Sequence, residues 1–341
     1  MNDPPQALRY EPGVLRALDQ TRLPGTEVEL ELRDGAAVVE AIRRLAIRGA
    51  PLIGVAGAYG LAMEVAARPV AERARAAAAR LRAARPTAVN LSYAVDRVLE
   101  ATLAAPPGEL AAASLAEARR IHEDELAASS AIAAHGADLL GPGVRRILTH
   151  CNTGALAAPG AGTALGVIAE LHRRGGLDGV LATESRPLLQ GARLTVWELS
   201  RLGIPHELCV DSAAAGLLAG GVADGVIVGC DRVAANGDVA NKVGTFMLAL
   251  AARAAGVPFV VAGPCSTIDA DCPDGSSIVI EERDPEEVRT AGGQLLTMPG
   301  TAVRNPAFDV TPAALLSALV TERGVVSPVD GANIRALLAR A

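Results

Sequence analysis

The chain has 341 residues, half of them hydrophobic, yet only three Phe, three Tyr and one Trp, so Ala, Val and Leu must fill its interior. That length suffices for two domains that each bury a core without disulfide or metal staples. A formal net charge of -6 without a long basic run argues against a nucleic-acid partner, whereas a small anionic ligand needs only a few local arginines.

Short strands are expected over residues 7–10, 14–19 and 28–32. Asp34 then caps a helix that carries Ala41, Ile42 and Leu45 on one face and ends near Arg48-Gly49. Pro51 suits the first position of the next helix, 52–67, because it has no amide hydrogen to lose there; the turn before it presents backbone amides. The run ERARAAAARLRAAR, within residues 70–85, has the alanine content and charge of an exposed helix, with Pro86 as a breaker. Most of its arginines read as a solvated face. Pro106-Pro107-Gly108 makes a loop, a helix runs through 117–135, and Gly141-Pro142-Gly143 marks a boundary between domains 1–142 and 143–341.

Beyond that boundary strands are expected at 146–150, 179–182, 207–210, 225–229 and 258–262, with helical patterns between them. Such alternation predicts an α/β fold, a parallel sheet with helices on both faces. The apolar runs VIVG and VPFVVA fit strands buried on both sides.

Cysteines at 151, 209, 230, 265 and 272 make an odd set without a Cys-x-x-Cys pair, which suits a reducing, cytoplasmic compartment and a protein without a metal. The opening segment MNDPPQALRYEPG lacks the basic and apolar parts of a signal peptide. The apolar run 52–63 is too short to span a bilayer, so no membrane role is expected.

In an open parallel sheet, ligands bind beyond the carboxyl ends of the strands. Two segments lie there. HCNTGALAAPGAGTALG puts Cys151 directly after the first strand, and GCDRVAANGDVANK puts Asp231 after the fourth, with Asn241-Lys242 at the next helix start. Taken alone, Cys151 serves equally as a small buried hydrophobe. A nucleophilic Cys-His pair is unsupported, because His150 is its neighbour in sequence and points to the opposite face of an extended strand. Asp231 alone could merely fix its loop; in a dry cleft, desolvation would favour its neutral form and make it a proton donor near pH 7.

The glycines 160, 162 and 166 imitate a dinucleotide fingerprint, but CNTGALAAP separates them from the strand, so no nicotinamide cofactor is expected. Loop and helix packed close to a smaller ligand explain them better. Phosphate can be held by amides and arginine forks: Arg48, Gly49 and Ala50 supply such a turn, while Arg85, Asn241 and Lys242 add donors. Gln190, in ESRPLLQGARLTVWEL, opens a helix and either binds hydroxyls or caps it.

Together, the runs IRGAPLIGVAGAYG, RPTAVNL, THCNTGALA, ESRPLLQGARLTVWEL, GCDRVAANGDVANKVGT, STID, IEERDPEEV and NPAFDVTPAALLSALVTERG span almost the whole chain. In that order they resemble the methylthioribose-1-phosphate isomerase family, which is related to the regulatory subunits of the eukaryotic initiation factor exchange complex. The resemblance implies a mostly helical N-terminal domain with a small sheet, a Rossmann-like C-terminal domain and a homodimer acting on a sugar 1-phosphate without a cofactor. It also implies a catalytic pair, Cys151 and Asp231, and a substrate-binding set of Arg48, Gly49, Ala50, Arg85, Gln190, Asn241 and Lys242. Cys265 in GPCSTID departs from the family pattern, and Ser185 keeps the hydroxyl that threonine would offer there. Related substrates, ribose 1,5-bisphosphate or 5-deoxyribose 1-phosphate, and a non-catalytic ligand-sensing role are the alternatives.

Overall fold

The computed structural model describes residues 3–86 and 88–340; Met1, Asn2 and Thr87 of the segments quoted above lie outside the described residues. Strands β1 (Leu8–Glu11), β2 (Val14–Leu18) and β3 (Glu29–Leu32) form an antiparallel sheet in that order. Asp34 then accepts a hydrogen bond from the Ala37 amide and opens α1 (Gly35–Arg43). This helix stops short of Arg48. Leu45 takes a left-handed φ of 63°, and the amides of Ala46 and Ile47 both fold back onto the Ala41 carbonyl, which closes the last turn early.

Fifteen of the eighteen residues of α2 (Ala50–Ala67) are buried. The helix extends past the apolar run 52–63 and is long enough to cross a bilayer, so the argument from length fails. Its burial against other helices accounts for its apolar character on all sides. In α3 (Ala71–Arg82), Ala74, Ala77, Ala78 and Leu81 face inward and Arg73, Arg75 and Arg80 face water. Helix α4 (Val89–Ala104) has no counterpart among the expected elements, although Leu91, Ala94, Val95, Val98 and Thr102 are buried at helical spacing. The expected helix 117–135 grows at both ends into α5 (Leu110–Leu140). One half, with Ala118 and Ile121, packs in the helical core, and the other, with Ile132 and Ala137, packs against sheet residues Ile147, Val180 and Ile227.

The chain continues through β4 (Arg146–Thr149), α6 (Ala164–Arg173), β5 (Gly179–Thr183), a π-helical turn over Gly191–Thr195, α7 (Val196–Leu202), β6 (His206–Cys209), α8 (Ala214–Ala219) and β7 (Gly225–Val228). Next come β8 (Arg232–Ala234), β9 (Val239–Lys242), α9 (Thr245–Ala255), β10 (Phe259–Ala262) and β11 (Ile268–Asp269). The remainder holds α10 (Glu286–Arg289), the hairpin β12 (Thr290–Ala291) and β13 (Gln294–Leu295), then β14 (Phe308–Thr311), β15 (Ala318–Thr321), β16 (Gly324–Val326) and α11 (Gly331–Leu338).

A seven-stranded sheet has the order β16-β15-β10-β7-β4-β5-β6, with every pairing parallel except β15 with β16. All five expected strands are in it. From β4 the chain winds outward to β6, returns to β7, and winds the other way, so the strand order reverses between β4 and β7. A crevice opens at such a switch point. Cys151 follows β4 and Asp231 follows β7, which is why residues eighty positions apart meet there.

A four-stranded sheet, β11-β8-β9-β14, was not expected. It corrects one placement: Asn241 and Lys242 end strand β9 and do not begin a helix, since α9 starts at Thr245. The Asn236-Gly237 pair between Val233 and Val239 is the turn signal for this β8–β9 hairpin, with Gly237 at φ 95°.

Candidate active site

One cavity, about 730 Å³ including its open mouth, is lined by all nine residues singled out above: Arg48, Gly49, Ala50, Arg85, Cys151, Gln190, Asp231, Asn241 and Lys242.

The α1–α2 turn forms one wall. Gly49 has φ 95°, and a Cβ there would lie 2.4 Å from Ala157 Cα, so only glycine lets this turn press against the loop after β4. The amide of Leu52 is taken by the Ala157 carbonyl. The Arg48 guanidinium donates to Asn152 twice, to Oδ1 at 2.6 Å and to the backbone carbonyl at 2.9 Å. Arg85 approaches Glu281 at 3.5 Å, and the same carboxylate accepts from Arg283 at 2.8 Å, so one acid steadies two arginines that line the cavity. Arg283 lies in the run IEERDPEEV but carried no assigned role.

Cys151 has a left-handed φ of 62°, unusual for a residue with a Cβ. Its amide donates to Ser185 Oγ at 2.7 Å and its carbonyl accepts from Thr195 Oγ1 at 2.5 Å, contacts that hold the turn in place. The Ser185 hydroxyl thus has a definite task. His150 looks away: Nε2 donates to the Val243 carbonyl at 2.9 Å, so its other nitrogen, 2.6 Å from Thr183 Oγ1, is the acceptor. Both ring nitrogens are engaged, and burial holds the imidazole below its ordinary pKa. No Cys-His nucleophile forms.

Opposite, burial pushes the Asp231 carboxyl above the usual carboxylate range, against the pull of Lys242, Arg85 and Arg48. Burial likewise draws the Lys242 amine down, opposed by Cys151 and Asp231. Lys242 Nζ donates to the Ala307 carbonyl at 2.9 Å and stands 5.1 Å from the centre of the Phe308 ring. Asn241 Nδ2 donates to Thr245 Oγ1 at 3.0 Å. Gln190 makes no capping bond, and its Oε1 is buried without a hydrogen-bond partner among the described residues, which favours the ligand reading over the cap. A Cβ on Gly162 would lie 2.3 Å from the Thr153 carbonyl, so this glycine serves packing within the loop after β4, and none of the glycines 160, 162 and 166 lines the cavity.

Residues 46–328 match the model of the initiation factor 2 subunit family. The chain belongs to the initiation factor 2 subunit family. Within it, the chain is 51% identical over 343 residues to the methylthioribose-1-phosphate isomerase of Alkalilimnicola ehrlichii, covering 99% of each protein. It is 52% identical to that of Methylococcus capsulatus, covering 97% of this chain and 96% of the relative. The crystal structure of 5-methylthioribose 1-phosphate isomerase from Pyrococcus horikoshii superposes with a TM-score of 0.90 at 39% identity, over 98% of this chain and 96% of the other. The structure of translation initiation factor eIF-2B, subunit delta, from A. fulgidus is similar too, with a TM-score of 0.86 at 38% identity over 98% and 99%. This initiation factor 2 subunit family member therefore has the Rossmann-like sheet and helical N-terminal region that the sequence led us to expect.

Proposed function

We propose that this protein is an aldose-ketose isomerase that converts 5-methylthioribose 1-phosphate into 5-methylthioribulose 1-phosphate, a step of methionine salvage. The observation that carries the reading is the convergence of Cys151 and Asp231, with arginines and a lysine around them, on one cavity in a chain half identical to isomerases of that name. Sites decide function within a shared fold, and a ligand-sensing relative has no need of a buried carboxyl whose pKa burial raises against the pull of nearby cations.

Phosphate on the anomeric oxygen prevents ordinary opening of the sugar to a free aldehyde. Neutral Asp231 gives its proton to the ring oxygen as the bond from C1 breaks. The C2 hydrogen then moves with its electron pair to C1, and the Asp231 carboxylate takes the C2 hydroxyl proton as the carbonyl forms there. Protons and electrons balance, so no co-reactant is required. Cys151 flanks the reacting carbons and keeps water away without attacking them. Arg48, the amides of Gly49 and Ala50, Arg85, Asn241 and Lys242 hold the phosphate, and Gln190 holds a hydroxyl.

A smaller recess shares Ala50, Arg85, Asp231 and Phe308 with the main cavity and adds Ile53, Ala88, Arg232, Ala240, Ile278 and Val279, with the Arg232 guanidinium 3.7 Å from the Asp269 carboxylate. Its aliphatic side chains and the Phe308 ring support a methylthio group at C5 over a second phosphate, because the charge of Arg232 is already met by Asp269. The test is kcat/KM for the 5-methylthio, 5-deoxy and 5-phospho sugar 1-phosphates. The first should lead, and Ile278→Glu should lower its kcat/KM by about tenfold or more by placing a carboxylate against the thioether, since even one methylene in such a pocket is worth about 1–3 kcal/mol. Preference for the bisphosphate by the unsubstituted protein would replace this substrate with the other.

Residues 1–142 and 143–341 are taken as the two domains, and the enzyme as a cytoplasmic homodimer. Five free thiols support the compartment. Large apolar side chains left in water on α9 (Phe246, Met247, Leu250) and at edge strand β6 (Leu208, Val210) support self-association.

A further inference from the structure

Glu198 lies on α7, only 1% exposed, in a family of contacts that no step above uses. Its carboxylate accepts from Asn152 Nδ2 at 2.7 Å and from the Ala155 amide at 2.7 Å. Asn152 in turn presents Oδ1 and its backbone carbonyl to the Arg48 guanidinium. The direction of these bonds is forced. The arginine only donates, so the amide oxygen of Asn152 must face it, and the amide nitrogen is left to donate to the Glu198 carboxyl and, at 3.3 Å, to Thr195 Oγ1. The loop after β4 is built to admit this acid: a Cβ on Gly154 would lie 2.3 Å from Glu198 Oε2.

We propose that Glu198 is a positioning residue that holds the Arg48 guanidinium toward the substrate phosphate by fixing the orientation of the Asn152 amide. The inference rests on the reading of Arg48 as a phosphate donor. Two of the guanidinium N–H groups go to Asn152, and the side chain lines the cavity with the rest. Burial pushes the Glu198 carboxyl up to about 7, against the hydrogen bonds from Asn152 and the loop amides, so an acid is kept where burial disfavours its charge. Replacing it with glutamine supplies a donor in place of one acceptor. The Asn152 amide can then turn over, which sets its nitrogen against Arg48 and breaks the fork.

A double-mutant cycle tests this. The dissociation constant of inorganic phosphate is measured by ³¹P NMR titration for the unsubstituted protein, Glu198→Gln, Asn152→Ala, Arg48→Gln and the two doubles with Arg48→Gln. Each of the first two substitutions should weaken phosphate about tenfold alone and by less than about twofold once Arg48 is gone, as residues acting through one partner do. With methylthioribose 1-phosphate, KM should rise in both while kcat is kept. Asn152→Ala leaves the bond from the Ala155 amide to Glu198 intact, so it decides the matter if Glu198→Gln does not fold. An equal loss with and without Arg48, unchanged binding in the single variants, or no phosphate binding by the unsubstituted protein would overturn the relay. Phosphate binding that follows the cycle in a protein that forms no ketose would uphold the relay and remove the functional reading.

Discussion

Asp231→Asn should bind the sugar phosphate as tightly as the unsubstituted enzyme while turnover drops on the order of 10³-fold, the range expected when one group performs acid-base work. Asparagine keeps the size of the side chain and removes the proton that the ring oxygen needs. The fold should not suffer. Burial holds the Asp231 pKa above that of the unfolded chain, so the native state keeps a proton that the unfolded state releases. Stability from this group is present at low pH and lost as pH rises through the raised pKa. At pH 8 the neutral asparagine escapes that cost, and thermal unfolding of the variant should occur no lower than that of the parent. In the parent, kcat should fall as pH rises, with its alkaline limb displaced above the ordinary carboxylate pKa of about 4. Normal turnover by Asp231→Asn, measured beside its substrate affinity, would remove Asp231 from the chemistry.

Gly49→Ala should cost stability and activity together. The φ of 95° at this position disfavours any side chain, and the added Cβ would meet Ala157 Cα at 2.4 Å and its carbonyl oxygen at 2.5 Å. Both are backbone atoms, so no side-chain rotation relieves the clash. Backbone strain and overpacking combined give a loss of about 3 kcal/mol or more in urea unfolding. The turn must move, and Arg48 and Ala50 move with it. A shift of about 1 Å in such a group can cost on the order of 100-fold in rate. Unfolding and kinetics like those of the parent would mean that the turn has room that its contacts with Ala157 deny.

The parallel sheet was legible because its strands are short, continuous apolar runs, and the rule that ligands gather beyond strand ends led from those runs to Cys151 and Asp231. The β8–β9 hairpin hid inside a polar stretch, where three- and four-residue strands leave little alternation to read; Asn236-Gly237 was its one strong mark. Helix α4 carried the right period but sat between a proline breaker and a Pro-Pro-Gly loop. Other features exist only once the chain is folded. The apolar recess draws Ile53, Ala88, Ile278 and Phe308 from four distant segments, and Glu198, in the run TVWEL, resembles a solvated helix glutamate until the loop after β4 covers it.

The most direct test of the central claim is ¹H and ³¹P NMR of 5-methylthioribose 1-phosphate incubated with the purified protein in D₂O. The predicted result is a ketose with its phosphate still esterified and no solvent deuterium at C1. Release of inorganic phosphate, or unchanged aldose, would contradict the isomerase reading, and deuterium at C1 would contradict the hydride route.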